Sequence, residues 1–210
     1  MYIDLSELSP NQVYYSMIQT LVPRPVAWVL SDNGTRSASG AASYNLAPFS
    51  YFTGISSKPP TIMISVGKKP DGSFKDTRVN IEARGQFVVH IAHRELAPSV
   101  TESSRTLAHG ESELDRLDLD LADFADFRLP RIAGCRVAMA CERHAIQEFG
   151  EVPQSLIFGL VKTIYVDDSV VTVDEKGRAS VHADKLDPVA RLGGNDYTTF
   201  GEIITVPRPK

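Results

Sequence analysis

Apolar residues recur at every second position in several short stretches of this chain, a period that predicts β-strands rather than helices. In residues 61–67, TIMISVG, Ile62, Ile64 and Val66 share one face and Ser65 takes the other. In 86–92, QFVVHIA, Phe87, Val89 and Ile91 share a face and His90 points away. Residues 26–30 (VAWVL), 135–146 (CRVAMACERHAI) and 155–166 (SLIFGLVKTIYV) are also rich in β-branched or aromatic residues and are predicted as strands. Helices are fewer. Asp76 or Thr77 is placed to cap a helix running to Arg84, with Gly85 as its left-handed stop. A second helix is predicted within 97–108, APSVTESSRTLA, with Pro98 in its first turn and Val100 and Leu107 facing inward.

Residues 167–188 read as a turn-rich hairpin, and 189–210 as a Gly-Gly turn followed by an extended piece. Residues 111–127, ESELDRLDLDLADFADF, carry seven acids and one base, and their leucines fit both periods. Leu114, Leu117, Leu121 and Phe124 suit a helix, whereas Leu117, Leu119 and Leu121 alternate with aspartates as in a strand. Such a segment is either a solvated cover held down by its leucines or a docking surface for a partner. With no repeat and no linker composition, the order of elements predicts a mainly β protein. The expected architecture is a closed or nearly closed barrel with a few short helices, one domain over 1–210.

Composition narrows the function. At 210 residues, with a formal charge of −4 and no long Lys/Arg cluster, the chain lacks the basic stripe that a nucleic-acid groove needs. No apolar run approaches the roughly 18 residues needed to cross a bilayer, and the N-terminal MYIDLSELSP carries acids, so a cytoplasmic protein with no membrane partner is expected. Cys135 and Cys141, six residues apart on one predicted strand, would be separated by about 20 Å and are expected as free, buried thiols. Neither His pairs at helical spacing nor Cys-x-x-Cys occurs, and His90 and His93 straddle a strand end, so no metal site is expected. The Gly-x-Ser-x-Gly nucleophile elbow and the Gly-x-Gly-x-x-Gly dinucleotide fingerprint are absent as well.

Two segments remain. Residues 67–81, GKKPDGSFKDTRVNI, join a strand to a helix start that carries Lys75, Asp76 and Thr77. Free N–H groups, the helix dipole, an ammonium and a hydroxyl there suit a phosphate, provided the Asp76 carboxylate turns to the helix's own N–H groups or to a nearby base. An ordinary capped surface helix would read the same way. Residues 47–60, APFSYFTGISSKPP, form a predicted loop that sets Phe49, Tyr51 and Phe52 among small and turn-forming residues. With Asn45 and Ser50 it offers apolar surface beside hydrogen-bonding groups, which suits a flavin ring or a packed loop across the barrel end.

Taken together, PRPVAWV (23–29), APFSYFTGISSKPPTIMISVG (47–67), DGSFKDTRVNI (71–81), FVVHIA (87–92), RIAGCRVAMACE (131–142) and ARLGGNDY (190–197) resemble the flavin reductase-like family with the FMN-binding split-barrel fold. The resemblance implies a Greek-key split β-barrel that dimerises and binds FMN near the subunit interface. It assigns Ser50, Tyr51 and Phe52, with Asn45 nearby, to the isoalloxazine ring, and Lys75, Asp76, Thr77 and Asn80 to the ribityl phosphate. Ser65 and Gly67 are lesser candidates. His90 stands where an asparagine is common in the family, and is expected as a buried, hydrogen-bonded histidine or as a residue that tunes the flavin. Arg191 and Tyr197 match family positions, with Arg191 either paired to an acid or facing an anionic substrate; His182 and Trp28 fit plain packing. Because the flavin carries the redox chemistry, no catalytic side chain is expected. The implied activity is electron transfer from NADH or NADPH through FMN to a small-molecule acceptor. The alternatives are a flavin-carrying electron-transfer protein without a nicotinamide site and a non-redox barrel that binds a phosphorylated ligand or another protein.

Overall fold

The computed structural model describes residues 1–36 and 40–209. Seven strands form one antiparallel sheet: β1 (Ala27–Arg36), β2 (Ala42–Phe49), β3 (Phe52–Ser57), β4 (Pro60–Val66), β5 (Gln86–Ile91), β6 (Val137–Phe149) and β7 (Gln154–Val166). Their order is β2-β1-β5-β6-β7-β4-β3. The two edge strands, β2 and β3, are consecutive in the chain and separated only by Ser50 and Tyr51. A sheet whose edges are tied in this way must curl until they meet. Phe49 and Phe52 both pack into the same interior cluster, and the Ser65 N–H donates to the Tyr51 carbonyl at 2.9 Å. The result is a barrel split along the seam between β2 and β3, where no ladder forms.

The expected loop at 47–60 is therefore two edge strands around a two-residue turn. Pro48, Gly54 and Pro60 made it read as a loop, yet Pro48 and Gly54 lie on edge strands, where half of the backbone groups need no ladder partner, and Pro60 is the first residue of β4. The period of two sorts side chains into two cores. Ala27, Val29, Ile62, Ile64, Val66, Phe87, Val89, Cys141 and Ile157 fill the barrel. Trp28, Leu30, Leu46, Val88, Ala138 and Ala140 face an outer layer that covers the sheet. His90 belongs to that outer face: Nδ1 donates to the Trp28 carbonyl at 3.0 Å and Nε2 accepts the Ile132 N–H at 2.9 Å. Burial pushes its pKa down to about 4, so it stays neutral as a structural histidine. Both cysteines are free and buried.

Four α-helices accompany the sheet among the described residues: α1 (Pro10–Thr20), α2 (Asp76–Arg84), α3 (Ala97–Glu102) and α4 (Ala183–Leu186). The β4-to-β5 connection skips β7 and β6 and carries α2 across the barrel end, where Ile81 plugs the interior. Its stop is Gly85 at φ +76°, as expected, but its N-cap is Lys75 rather than Asp76 or Thr77, and Lys75 makes no side-chain cap. Helix α3 is shorter than predicted because Ser103 and Ser104 turn their hydroxyls onto the carbonyls of Val100 and Thr101. Helix α1 was not anticipated, although Ser9-Pro10 followed by Gln12 is a helix-start signature; the Gln12 side chain accepts the Ser9 N–H at 3.0 Å. None of these helices is long and apolar enough to cross a membrane.

The acidic segment is neither of the elements its periods suggested. It contains a 3-10 turn at Glu113–Arg116 and a two-residue strand at Leu121–Ala122 paired with Arg131–Ile132. Leu114, Leu117, Leu119, Phe124 and Phe127 hold it against the outer core, which is the cover reading. One acid turns inward: Glu113 is 6% exposed and its Oε2 accepts the Leu46 N–H at 2.8 Å. The hairpin of the C-terminal region pairs Val171–Val173 with Ala179–Val181.

Two outcomes test this packing. A Cβ at Gly159 would clash with the edge of the buried Phe87 ring inside the barrel, so Gly159→Ala should lower stability by about 1 to 3 kcal/mol, read as a lower urea midpoint with an unchanged slope. Burial, with Asp76 acting in the same direction, pushes the Glu113 carboxyl from 4.5 up to about 7. Between those values the native state holds a proton that the unfolded chain has released, so this group's contribution to stability falls as pH rises through the window, by up to about 3 kcal/mol. Glu113→Gln keeps an acceptor for Leu46 and should therefore raise Tm more at pH 8 than at pH 5; an equal shift at both would contradict the assignment.

Candidate functional site

The seam and the start of α2 lie side by side. Asn45 on β2 donates through Nδ2 to Thr77 Oγ1 at 2.8 Å, and both residues are buried. The Lys75 ammonium sits 5.6 Å from the centre of the Phe49 ring. Three adjoining depressions meet at Pro48. One runs along the start of α2, lined by Asn45, Lys69, Lys75, Asp76, Thr77 and Ser104. The broadest, about 850 Å³, lies between α1 and the β2–β3 turn, with Tyr14, Met17, Ser50, Tyr51, Ser65, Gly67 and Lys75 on its walls. The third opens toward Arg191 and Tyr197.

Charge in the first depression is sorted. The Asp76 carboxylate faces two bases, Lys69 Nζ at 3.1 Å and His109 Nδ1 at 2.7 Å, so it turns to nearby bases as the sequence reading required. Lys75 has no carboxylate within 4 Å among the described residues, and burial pushes its pKa down. An ammonium held in poor solvent without a partner, beside first-turn N–H groups that its side chain cannot cap, suits an anionic oxygen group. The neighbouring cleft has aromatic and aliphatic walls with hydroxyls at Ser50 and Tyr51, which suits a planar ring with a polar edge. Burial, with Tyr14 alongside, pushes the Tyr51 hydroxyl up, so it remains a donor.

Of the residues singled out from sequence, Asn45, Ser50, Tyr51, Ser65, Gly67, Lys75, Asp76 and Thr77 line these joined depressions. Phe52 and Asn80 do not. The Phe52 ring packs against the barrel interior, because the two-residue turn sends it to the inner face of β3. Asn80 Nδ2 donates to Ser31 Oγ at 3.2 Å and Asn33 Oδ1 at 2.9 Å, and its Oδ1 receives Arg84, so it ties α2 to β1. Trp28 is packing with one polar duty: its Nε1 donates to Ser103 Oγ at 2.8 Å, which fixes the segment that follows α3. His182 contacts Thr172 away from the site.

Sequence reasoning missed Arg24. Its buried guanidinium donates to Ser50 Oγ at 3.3 Å, to the Ile18 and Leu21 carbonyls at 2.5 and 2.6 Å, and to the Leu192 carbonyl at 2.8 Å. One side chain thus joins the end of α1, the seam turn and the Gly-Gly segment. The signal was an arginine between two prolines at the start of a strand, which spacing alone does not distinguish from a surface charge. Ser103, Ser104, Arg105 and Thr106 were missed because they read as the end of a helix.

The uncharacterized protein YwrF of Bacillus subtilis is 36% identical over the full length of both chains. Among solved structures, nitrilotriacetate monooxygenase component B from Bacillus cereus is 30% identical, with TM-score 0.85 and 98% of each chain covered. The 2-nitrobenzoate 2-nitroreductase NbaA of Pseudomonas fluorescens is 28% identical, with TM-score 0.83, covering 100% of this chain and 96% of that one. The profile of the flavin reductase like domain matches residues 19–179, and this split barrel belongs to that family.

Proposed function

We propose that this protein is an FMN-dependent oxidoreductase that passes electrons from NADH or NADPH through its flavin to a small-molecule acceptor. The observation that carries the reading is the unpartnered Lys75 ammonium at the start of α2, opening into a cleft walled by the β2–β3 turn. In this reading Lys75, Thr77 and the first-turn N–H groups of α2 hold the phosphate. Asp76, paired with the Lys69 ammonium and held by His109 Nδ1, orders the loop before the helix and faces away from the phosphate. Ser50, Tyr51 and Asn45 face the ring system, with Ser65 and Gly67 at its margin. When bound, the flavin supplies redox capacity in one- or two-electron equivalents, so the chain's own work is to bind, orient and shield. The names of the similar Bacillus cereus and Pseudomonas fluorescens proteins, a monooxygenase component and a nitroreductase, are consistent with such a role.

We extend the proposal to a homodimer. Helix α1 buries no residue within one chain and exposes Tyr14, Tyr15 and Met17, apolar surface that a second copy would cover.

The test is spectroscopic. Protein titrated with FMN should show a shifted flavin absorption band, and anaerobic NADH or NADPH should bleach it. Binding without bleaching would favour an electron-transfer protein that lacks a nicotinamide site. A protein that ignores FMN would overturn the proposal. Lys75→Ala should weaken FMN by about 1.5 to 3 kcal/mol while leaving riboflavin nearly unchanged, since only FMN has the phosphate. Equal losses for both would contradict the assignment of Lys75.

A further inference from the structure

The third depression holds a second unpartnered cation. Its walls include Tyr14, Val26, Pro48, Ser50, Ser104, Arg191 and Tyr197. The Arg191 guanidinium lies 4.6 Å from the centre of the Tyr197 ring, and NH2 donates to the Gly194 carbonyl at 2.6 Å. Tyr197 is itself held, its hydroxyl 3.1 Å from Thr101 Oγ1. The acid pairing that the sequence left open is absent: among the described residues no carboxylate lies within 4 Å of Arg191.

An arginine has five N–H donors, and among the described residues this one makes a single side-chain hydrogen bond while its plane is braced by an aromatic ring. Such a fork is preorganised for the two oxygens of a carboxylate. The cavity measures about 310 Å³, at the small end of the range of small-molecule sites, and Tyr14, Val26 and Pro48 make part of its wall apolar. Ser50 belongs to both this cavity and the flavin cleft, and because its Oγ accepts from Arg24, its own O–H remains free to donate.

We infer that Arg191 marks a subsite for the carboxylate of a small single-ring substrate, seated beside the flavin across Ser50. The inference rests on the proposed flavin site for the word substrate, but the carboxylate subsite itself stands on Arg191 and its braces.

Benzoate and its neutral isostere benzamide are the probes, read by ligand-observed NMR on the full-length protein both with and without added FMN. Wild-type protein should bind benzoate at least ten times more tightly than benzamide. Arg191→Met, which keeps the stem and removes the charge, should bind the two alike, and Arg191→Lys should restore part of the preference. FMN affinity should change by less than twofold in either variant, which also shows that they fold. A wild type without preference for benzoate, or an unchanged preference in Arg191→Met, would overturn the subsite. Failure of the protein to bind FMN would instead defeat the proposed function, while the comparison of benzoate with benzamide still reads Arg191 directly.

Discussion

Two edge strands consecutive in the chain and joined through Ser50 and Tyr51 impose the constraint on which the rest of the molecule depends. The sheet must curl, yet its edges meet through a turn instead of a hydrogen-bonded ladder, so one line of the barrel wall stays open. Backbone polar groups and apolar side chains along that line need cover from elsewhere. Helix α2 supplies it at the barrel end, α1 stands off beside the turn, and the clefts between these parts are the candidate site. Binding surface here is a product of incomplete closure. A fully laddered barrel of the same strands would have its interior filled by the same Ile, Val and Phe side chains and no comparable cleft at the seam.

Charge follows the same geometry. Arg24 is buried among carbonyls and a hydroxyl, and Asp76 sits between Lys69 and His109, so these groups spend their charge on holding segments together. Lys75 and Arg191 do not. Both are anchored against aromatic rings, Phe49 and Tyr197, and neither has a carboxylate partner among the described residues. Keeping a cation partly desolvated costs free energy that an anion recovers on binding. Two such cations on either side of Pro48, in a protein of formal charge −4, locate attraction for anions where the overall balance would not suggest it.

Much of this was legible in the chain because a strand with one face in the barrel interior and the other less buried leaves a strong period of two. Ile62, Ile64 and Val66 went to the interior, and Gly85 stopped α2. Legibility failed where a local signal competed with a tertiary one. Pro48 and Gly54 read as loop, but their strands lie at edges where pairing is half required. The leucines of 111–127 fit helix and strand equally because the segment wraps a surface with no period of its own. Asn80 carried the right chemistry for a phosphate but looks inward to Ser31 and Asn33, a direction that composition cannot reveal. Arg24 was invisible for the opposite reason: its partners are mainly carbonyls of residues 18, 21 and 192, and carbonyls leave no trace in a sequence.

At Gly193 the Gly-Gly segment comes up against α1. There the segment lies against the carboxamide end of the Gln19 side chain of α1. Arg24 bonds both partners of that approach and Ser50 as well. The wall that carries Arg191 is thereby coupled to α1 and to the seam turn, whereas Lys75 is anchored separately through α2 and the barrel interior. The Lys75 corner thus stands on the barrel, and the second cavity stands on three segments clasped by one guanidinium. Substitutions in α1 or the Gly-Gly segment can reshape the second cavity while the first keeps its support.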